Sequence, residues 1–260
     1  MRLPRPAALA LCAAPTAALL AVAAFAPLPF AIAQPGPTAD VLGAKDGRTV
    51  ISISGAPTRQ TSGQLRMTTI VATGPSEETS LAELARMWFR TDRAVMPREA
   101  VYPSGGTDKE IEQHNLDAMA KSQTSATEAA LGYLHKDAKD VKVELNLADV
   151  GGPSAGLMFS LGIVDKLAGD GAGGDLTGGR TVAGTGTISA DGEVGAVGGV
   201  ALKTQAARRD GATVFLVPKA ECSDARTDLP EGLQLVPVTS LTGAVDALRS
   251  LSRGEPVPSC

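Results

Sequence analysis

Two polar side chains in this 260-residue chain have neighbours that point to chemistry. Ser154 follows a Gly-Gly-Pro corner and precedes an apolar segment, 157–167. Lys203 lies among small and apolar residues in the segment 200–209. A serine hydroxyl becomes a nucleophile when a base removes its proton, and a desolvated lysine amine can be that base. The pair therefore predicts nucleophilic catalysis if the fold brings the two side chains together.

The corner before Ser154 predicts that this serine lies at or near a helix N-terminus. An alternating run, 141–147, indicates a strand, while Gly151, Gly152 and Pro153 favour a tight turn after it. The first N–H groups of a helix lack internal acceptors and carry the positive end of its dipole, so they stabilise an oxyanion or a phosphate. Two alternatives remain open here. Ser154 is an ordinary N-cap, or the corner is the phosphate loop of a small-molecule kinase.

Burial of Lys203 would disfavour its ammonium form and lower its pKa. Bringing a lysine from about 10.4 to near 7 costs the fold about 4 to 5 kcal/mol, so such a residue usually has a function. The alternative is a solvated helix lysine. His114 and His135 are the two histidines of the chain, and both stand in charged helical segments where we expect them to be solvated. A Ser-His-Asp triad then lacks its base and a zinc site lacks its ligands, so we expect no metal and no other cofactor.

The first 39 residues are predicted to be a leader. Arg2 and Arg5 precede a long uncharged stretch rich in Ala and Leu, which is typical of export signals. The sequence Ala31-Ile32-Ala33 fits a signal peptidase site, and residues 7–26 are long enough to span a bilayer. We expect an uncleaved membrane anchor, with a cleaved signal as the alternative. Both place the remainder of the chain outside the cytoplasm.

The cysteines and the overall charge agree with an exported globular protein. Cys12 falls in the leader, which leaves Cys222 and Cys260 for one intramolecular disulfide in an oxidising compartment. A free or intermolecularly paired Cys260 is the alternative. The net charge of −4 and the lack of a Lys/Arg cluster exclude a nucleic-acid-binding surface of the usual kind.

Periodicity predicts the elements that must position Ser154 and Lys203. Residues 49–53 and 65–71 are expected to pair as a β-ribbon across a Gly- and Pro-containing connection. Helices are expected at 79–89, where Trp88 packs in the core or an interface, and at 107–134. The other predicted elements are a buried helix at 157–167, a hairpin of 181–189 with 192–197, a helix at 200–209, strands at 212–218 and 233–238, and a helix at 241–251. Lys219, Glu221 and Asp224 are expected in a surface loop.

Four linked motifs resemble the proteolytic domain of the Lon protease family. They are Gly-Gly-Pro-Ser-Ala-Gly at 151–156, Ala-Gly-Thr-Gly-Thr-Ile at 183–188, Asp-Gly-Glu-Val-Gly at 191–195 and Gly-Gly-Val-Ala-Leu-Lys at 198–203. The flanking sequences are similar to exported, membrane-anchored Lon-like peptidases of bacteria. The resemblance implies an α/β (α+β) fold with a mixed sheet and flanking helices, preceded by the β-ribbon and helices. The expected divisions are a leader at 1–39, the ribbon and helical region at 40–135, and the proteolytic domain at 136–260.

The same resemblance implies a serine endopeptidase with named roles. Ser154 would be the nucleophile and Lys203 the general base, with the Thr185 hydroxyl holding the lysine. Thr185 as a plain strand threonine is the alternative. Backbone N–H groups of Gly152, Ser154 and Ala155 would form the oxyanion hole. The implied partners are a protein or peptide substrate, the membrane through the N-terminal segment, and further copies of the chain in a ring.

Three departures from the family pattern limit what the resemblance implies. Gly151 stands where cytosolic Lon enzymes often have an acidic residue. No Gly-x-x-x-x-Gly-Lys-Ser/Thr sequence is present, so ATP-independent activity is expected. Exported relatives often carry a peptide-binding PDZ domain where this chain has only residues 135–140. A catalytically inactive Lon-like scaffold at the cell envelope is therefore the alternative function.

Overall fold

The structure is a computed structural model that describes residues 4–45, 47–87, 89–102, 107–147 and 152–260. The helices are α1 (Arg5–Phe25), α2 (Leu81–Met87), α3 (Arg98–Val101), α4 (Asp108–Tyr133), α5 (Gly156–Leu167), α6 (Val200–Arg209), α7 (Cys222–Ala225) and α8 (Leu241–Ser252). The strands are β1 (Phe30–Asp40), β2 (Ala44–Lys45), β3 (Arg48–Thr49), β4 (Ile51–Ser54), β5 (Gln64–Ala72), β6 (Ala94–Pro97), β7 (Lys142–Leu145), β8 (Thr181–Gly184), β9 (Thr187–Ile188), β10 (Val194–Gly195), β11 (Val214–Pro218) and β12 (Gln234–Val238). Pro153–Ala155 and Lys219–Glu221 form short 3-10 turns.

The described residues fall into two compact units. The smaller unit takes its residues from 4–33 and 72–108, and the larger unit takes them from 34–71 and 109–260. Strand β1 therefore starts in the smaller unit and continues into the larger one. This division does not coincide with the boundaries expected after residues 39 and 135.

The smaller unit contains residues that were expected to form the leader. The first residues of β1, from Phe30 to Ala33, pair antiparallel with β6. The expected signal peptidase site, Ala31-Ile32-Ala33, therefore lies within β1, where Ala31 and Ala33 are buried. Helix α2 begins with a capping box, in which the Ser80 N–H donates to the Glu83 carboxylate and the Glu83 N–H donates to the Ser80 hydroxyl. Trp88 lies outside the described residues.

Helix α1 carries the apolar stretch for which a membrane anchor was expected. In the described part of the chain, no helix combines the length and the apolar character needed to cross a membrane.

The larger unit confirms the predicted α/β fold with a mixed sheet and flanking helices. Strands β12, β11, β8 and β5 lie side by side and parallel, and β1 follows β5. Alternate residues of β11 enter two different hydrophobic clusters, Val214 and Leu216 with α5, and Phe215 and Val217 with α6. Because successive strand residues point to opposite faces, helices cover both faces of the sheet.

The two strands of the expected β-ribbon are present but do not pair with each other. Strand β4 pairs antiparallel with β7, and β5 pairs parallel with β8. Leu65 and Met67 of β5 are fully buried, which an isolated ribbon could not achieve. The expected hairpin is present in a shorter form, because β8 belongs to the sheet and only β9 pairs with β10.

Helix α5 is buried around its whole circumference, as its sequence predicts. All residues from Gly156 to Asp165 are buried. A Cβ atom at Gly156 would lie 2.8 Å from Ile188 Cγ2 and 2.9 Å from Ser122 Oγ. Glycine at this position therefore allows the start of α5 to approach α4 and β9 closely, and this approach fixes the location of Ser154.

Candidate active site

Ser154 lies in the 3-10 turn that leads directly into α5. Its backbone carbonyl accepts hydrogen bonds from the Gly186 N–H at 3.0 Å and from the Thr185 hydroxyl at 3.2 Å. No described side chain caps this turn or α5. Within the described residues, the Ser154 hydroxyl has no hydrogen-bond partner, so it is not an ordinary N-cap and is available for chemistry.

Thr185 follows the last residue of β8, at the carboxyl end of the parallel strands. Its N–H donates to the Leu216 carbonyl of β11 at 3.1 Å, which ties it to the sheet. The carboxyl edge of a parallel sheet is where α/β proteins commonly bind ligands. The first turns of α5 and α6 both meet this edge, so two helix N-termini with positive dipole ends converge near Thr185.

Lys203 belongs to the first turn of α6, where its N–H donates to the Gly199 carbonyl at 3.1 Å. The side chain is only 3% exposed. Its ammonium Nζ donates a hydrogen bond to Thr185 Oγ1 at 3.1 Å. Thr185 therefore contacts both residues of the expected pair, accepting from Lys203 and donating to the Ser154 carbonyl. No hydrogen bond joins the Ser154 hydroxyl to Lys203 directly among the residues that the structure describes.

Burial lowers the pKa of Lys203 from 10.5 to about 8. The negative charges of Glu221 and Asp224 act in the opposite direction and limit the decrease. At pH 7 a group with that pKa is neutral in about a tenth of the molecules. Lys203 can therefore supply an unprotonated amine near neutral pH, which an exposed lysine does far less often.

Glu221 and Asp224 were expected in a surface loop, yet their carboxylates contact the start of α6. Glu221 accepts from the Val197 N–H, and Asp224 accepts from the Val200 N–H. The sequence holds an indirect signal for such contacts. The residue before α6 is Gly199, which has no side chain to cap the helix, so the acceptors must come from elsewhere.

The expected oxyanion donors differ in their availability. The Gly152 N–H donates to the Asn115 carbonyl of α4 at 3.2 Å, so it is already occupied. For the N–H groups of Ser154 and Ala155, no acceptor outside their own turn is found in the described residues. These two groups can stabilise an anion at the N-terminus of α5. Gly151, where the sequence departs from the family pattern, lies outside the described residues.

A cavity of about 500 Å³ opens beside Ser154. It lies between α4, the 3-10 turn and β9. Its lining consists of His114, Asp117, Ala118, Lys121, Ser122, Ser125, Pro153, Thr187 and Ile188. Pro153, the residue before Ser154, belongs to this lining, whereas Ser154 itself does not.

The two histidines are exposed, and the described residues contain no group of three or more His, Cys, Asp or Glu side chains that could hold a metal ion. His114 lines the cavity, whereas His135 follows α4 with a φ of 52°. The structure joins Cys222 to Cys260 by a disulfide, and both residues pack against the hydrophobic cluster that contains Val200 of α6.

Comparison with known protein families agrees with this geometry. The model of the Lon protease (S16) C-terminal proteolytic domain matches residues 109–248, which is more than half of the chain. The chain belongs to the Lon protease family. A comparison with curated proteins gives no match. The matched Lon region begins in α4 and ends in α8, so it includes Ser154, Thr185 and Lys203. Membership of this serine peptidase family implies protein or peptide substrates, and it does not favour the scaffold or phosphate-loop alternatives.

Proposed function

We propose that this protein is an ATP-independent serine endopeptidase that acts outside the cytoplasm and uses Ser154 as nucleophile and Lys203 as general base. The observation that carries the proposal is that Thr185 links the two residues, because its hydroxyl accepts from Lys203 Nζ and donates to the Ser154 backbone carbonyl. Burial lowers the pKa of Lys203 to about 8, so its amine can accept a proton near neutral pH.

The neutral amine of Lys203 takes the proton of the Ser154 hydroxyl as Oγ attacks the carbonyl carbon of the scissile peptide bond. The carbonyl oxygen becomes an oxyanion, which the N–H groups of Ser154 and Ala155 stabilise. Each such donor is typically worth about 2.7 to 4 kcal/mol in the transition state. Lys203 then protonates the leaving amine as the C–N bond breaks, and the acyl group stays on Ser154 as an ester. In the second half, the Lys203 amine takes a proton from water while the water oxygen attacks the ester carbonyl carbon. The ester C–O bond then breaks, Lys203 returns the proton to Ser154 Oγ, and the carboxylic acid product leaves.

A direct hydrogen bond between the two side chains is required only during the reaction. Catalytic hydrogen bonds are often long or poorly aligned in the absence of substrate and tighten in the Michaelis complex. Thr185 keeps the amine near the serine until that complex forms.

The disulfide supports the proposed location outside the cytoplasm, and the sequence supports the proposed independence of ATP. A disulfide such as Cys222–Cys260 is typical of oxidising compartments outside the cytoplasm. The sequence contains no nucleotide-binding Gly-x-x-x-x-Gly-Lys-Ser/Thr motif, which supports cleavage without ATP. A ring of several copies remains an expectation from the family resemblance.

The test is a cleavage assay with the full chain, an unfolded protein substrate and no nucleotide. Wild-type protein is expected to cleave the substrate, whereas Ser154→Ala and Lys203→Met are expected to lose activity with unchanged circular dichroism. Lys139 is an exposed lysine that is distant from Lys203 in the sequence. Lys139→Met is therefore the matched control and should retain wild-type activity. Full activity in both Ser154→Ala and Lys203→Met would rule the pair out as catalytic residues.

A further inference from the structure

The first turn of α6 takes its N-terminal hydrogen-bond acceptors from a separate part of the chain. Gly199, the N-cap residue, lies in the left-handed region with a φ of 68° and has no side chain. The Asp224 carboxylate accepts hydrogen bonds from the Val200 N–H at 3.0 Å and from the Ala201 N–H at 3.4 Å. Because these N–H groups have no acceptor inside the helix, Asp224 takes the place of an N-cap side chain.

Glu221 fixes the chain immediately before that turn. Both of its carboxylate oxygens accept from the Val197 N–H, at 3.0 and 3.1 Å. Between Val197 and α6 lie Gly198 and Gly199, which have more backbone freedom than other residues. Glu221 and Asp224 therefore hold the two ends of a glycine pair that would otherwise leave the Lys203 turn loosely defined.

The two carboxylates also act on the charge of Lys203. In the part of the chain that the structure describes, they are the charged groups that act on this ammonium, and both favour its protonated form. Neither forms an ion pair with Lys203, whose Nζ donates to Thr185 instead. Their effect is therefore a long-range one within a poorly solvated site. Asp149, an acidic residue that precedes Ser154 in the sequence, lies outside the described residues.

The disulfide holds the segment that carries both carboxylates. Cys222 stands between Glu221 and Asp224 in the sequence and is bonded to Cys260, with their Cα atoms 5.3 Å apart. Both cysteines pack against the same hydrophobic cluster as Val197. The C-terminal tail is thus covalently tied to the short 3-10 turn and α7 helix that contact α6.

We infer that Glu221 and Asp224 are positioning residues for Lys203, and that the Cys222–Cys260 disulfide keeps them in place. The inference rests on the proposed function, in which Lys203 is the general base. The carboxylates touch none of the reacting atoms. They hold the backbone turn from which the lysine side chain extends, and they set how readily its amine gives up a proton.

The first experiment titrates the Lys203 amine directly and does not depend on activity. The full chain is labelled with ¹³C-lysine, and the Lys203 signal is assigned by its loss in Lys203→Met. Glu221→Gln and Asp224→Asn keep an oxygen acceptor but remove the charge, so each is expected to lower the pKa of Lys203 by about half a unit or more. Glu231→Gln and Asp228→Asn are matched exposed controls and should leave it unchanged. An unchanged pKa in Glu221→Gln and Asp224→Asn would overturn the inference.

The second experiment measures kcat/KM against pH for the same variants. The rise of kcat/KM with pH, which follows deprotonation of Lys203, is expected at lower pH in Glu221→Gln and Asp224→Asn than in wild type. Asp224→Ala should show the same displacement and a several-fold lower plateau, because it also loses the acceptor. A reduced plateau with an undisplaced rise in all three variants would indicate a structural role only and contradict the inference. If wild type cleaves nothing while the amine titrates as expected, the proposed function fails and the coupling to Lys203 stands.

The third experiment tests the disulfide in a Cys12→Ser background, so that two cysteines remain. Dithiothreitol transfers two electrons and two protons to the Cys222–Cys260 bond, giving two thiols and cyclic oxidised dithiothreitol. Reduction is expected to lower kcat several-fold in this background. Replacement of both cysteines by serine should lower kcat to the same extent and abolish the response to the reductant. Wild-type kcat and Lys203 pKa in the reduced protein and in the double variant would show that the disulfide has no part in positioning.

Discussion

Thr185 is the residue through which the serine and the lysine are connected. A hydroxyl group has one proton to donate and two lone pairs to accept with, and Thr185 uses both functions. It accepts from the Lys203 ammonium and donates to the Ser154 carbonyl. The residue is 0% exposed, so water cannot replace its hydroxyl without a change in packing.

Replacement of Thr185 by valine is expected to reduce catalysis without a large change in shape. The variant loses both hydrogen bonds, so the amine is no longer held near Ser154, and we expect kcat to fall about tenfold to a hundredfold. Thr185→Ser keeps the hydroxyl and should stay within a few-fold of wild type. Steady-state kinetics on one peptide substrate, with circular dichroism for both variants, measures the effect. Equal kcat values in Thr185→Val and wild type would show that the hydroxyl has no role.

The elements that carry the site follow from local sequence patterns. Helices expected at 107–134, 157–167 and 200–209 correspond to α4, α5 and α6, because each pattern reports which faces of a helix are buried. The same patterns and the nearby glycines also predict Ser154 near the N-terminus of α5 and Lys203 near the start of α6.

Which strands pair, and which distant residues form hydrogen bonds, could not be predicted in the same way. Strand β5 pairs with β8 across more than a hundred residues, and no local pattern contains that information. The hydrogen bonds from the start of α6 to Glu221 and Asp224 also cross more than twenty residues. Residues 30–39 resembled a leader because their uncharged composition suits a signal segment and a buried strand equally well.

The start of α5 provides a prediction at the scale of an element. Gly156→Ala would place a Cβ atom 2.8 Å from Ile188 Cγ2 and 3.1 Å from the Ile188 backbone nitrogen, so the start of α5 or the Ile188 segment must shift. We expect a loss of about 1 to 3 kcal/mol in the free energy of unfolding. Gly132→Ala in α4 is the matched control, since nothing lies within 4 Å of its added Cβ. This control should be stabilised by at most about 0.5 to 1 kcal/mol, because that advantage of alanine over glycine applies to a helix interior and Gly132 is the last residue but one of α4.

Urea unfolding of both glycine variants measures these changes. Movement of α5 also displaces Ser154, so Gly156→Ala is expected to lose activity even where it remains folded. Gly132→Ala should retain activity. A Gly156→Ala variant as stable and active as wild type would show that the close approach is not required.

On the scale of the whole molecule, two buried ionisable groups make stability depend on pH in opposite directions. Asp165 is fully buried, and its Oδ2 has no hydrogen-bond partner within the described residues. Burial raises the pKa of Asp165 to about 6, although its hydrogen bond from the Leu176 N–H opposes the increase. Its protonated form is therefore favoured in the folded state. The stability it contributes is present below the ordinary pKa of 3.8 and is lost as the pH rises through about 6.

Asp165→Asn removes this titration while keeping an oxygen for the Leu176 N–H. The free energy of unfolding of the variant, relative to wild type, is expected to increase by up to about 3 kcal/mol between pH 4 and pH 7. Asp228→Asn, an exposed control, should show no such dependence. Urea unfolding at the two pH values measures the difference. A difference between Asp165→Asn and wild type that is independent of pH would contradict the assigned pKa.

Lys203 has the opposite effect at higher pH. Because burial lowers its pKa from 10.5 to about 8, the charged amine destabilises the folded state below pH 8, and the cost disappears as the pH rises from 8 towards 10.5. Lys203→Met is expected to be inactive but more stable than wild type by up to about 3 kcal/mol at pH 7, at 1.36 kcal/mol per pKa unit. Its advantage should decrease steadily above pH 8, whereas Lys139→Met should be neutral throughout. A Lys203→Met variant that is less stable than wild type at pH 7 would mean that the folded state favours the charged amine. The lysine would then be a structural cation, and a general base would have to be sought elsewhere.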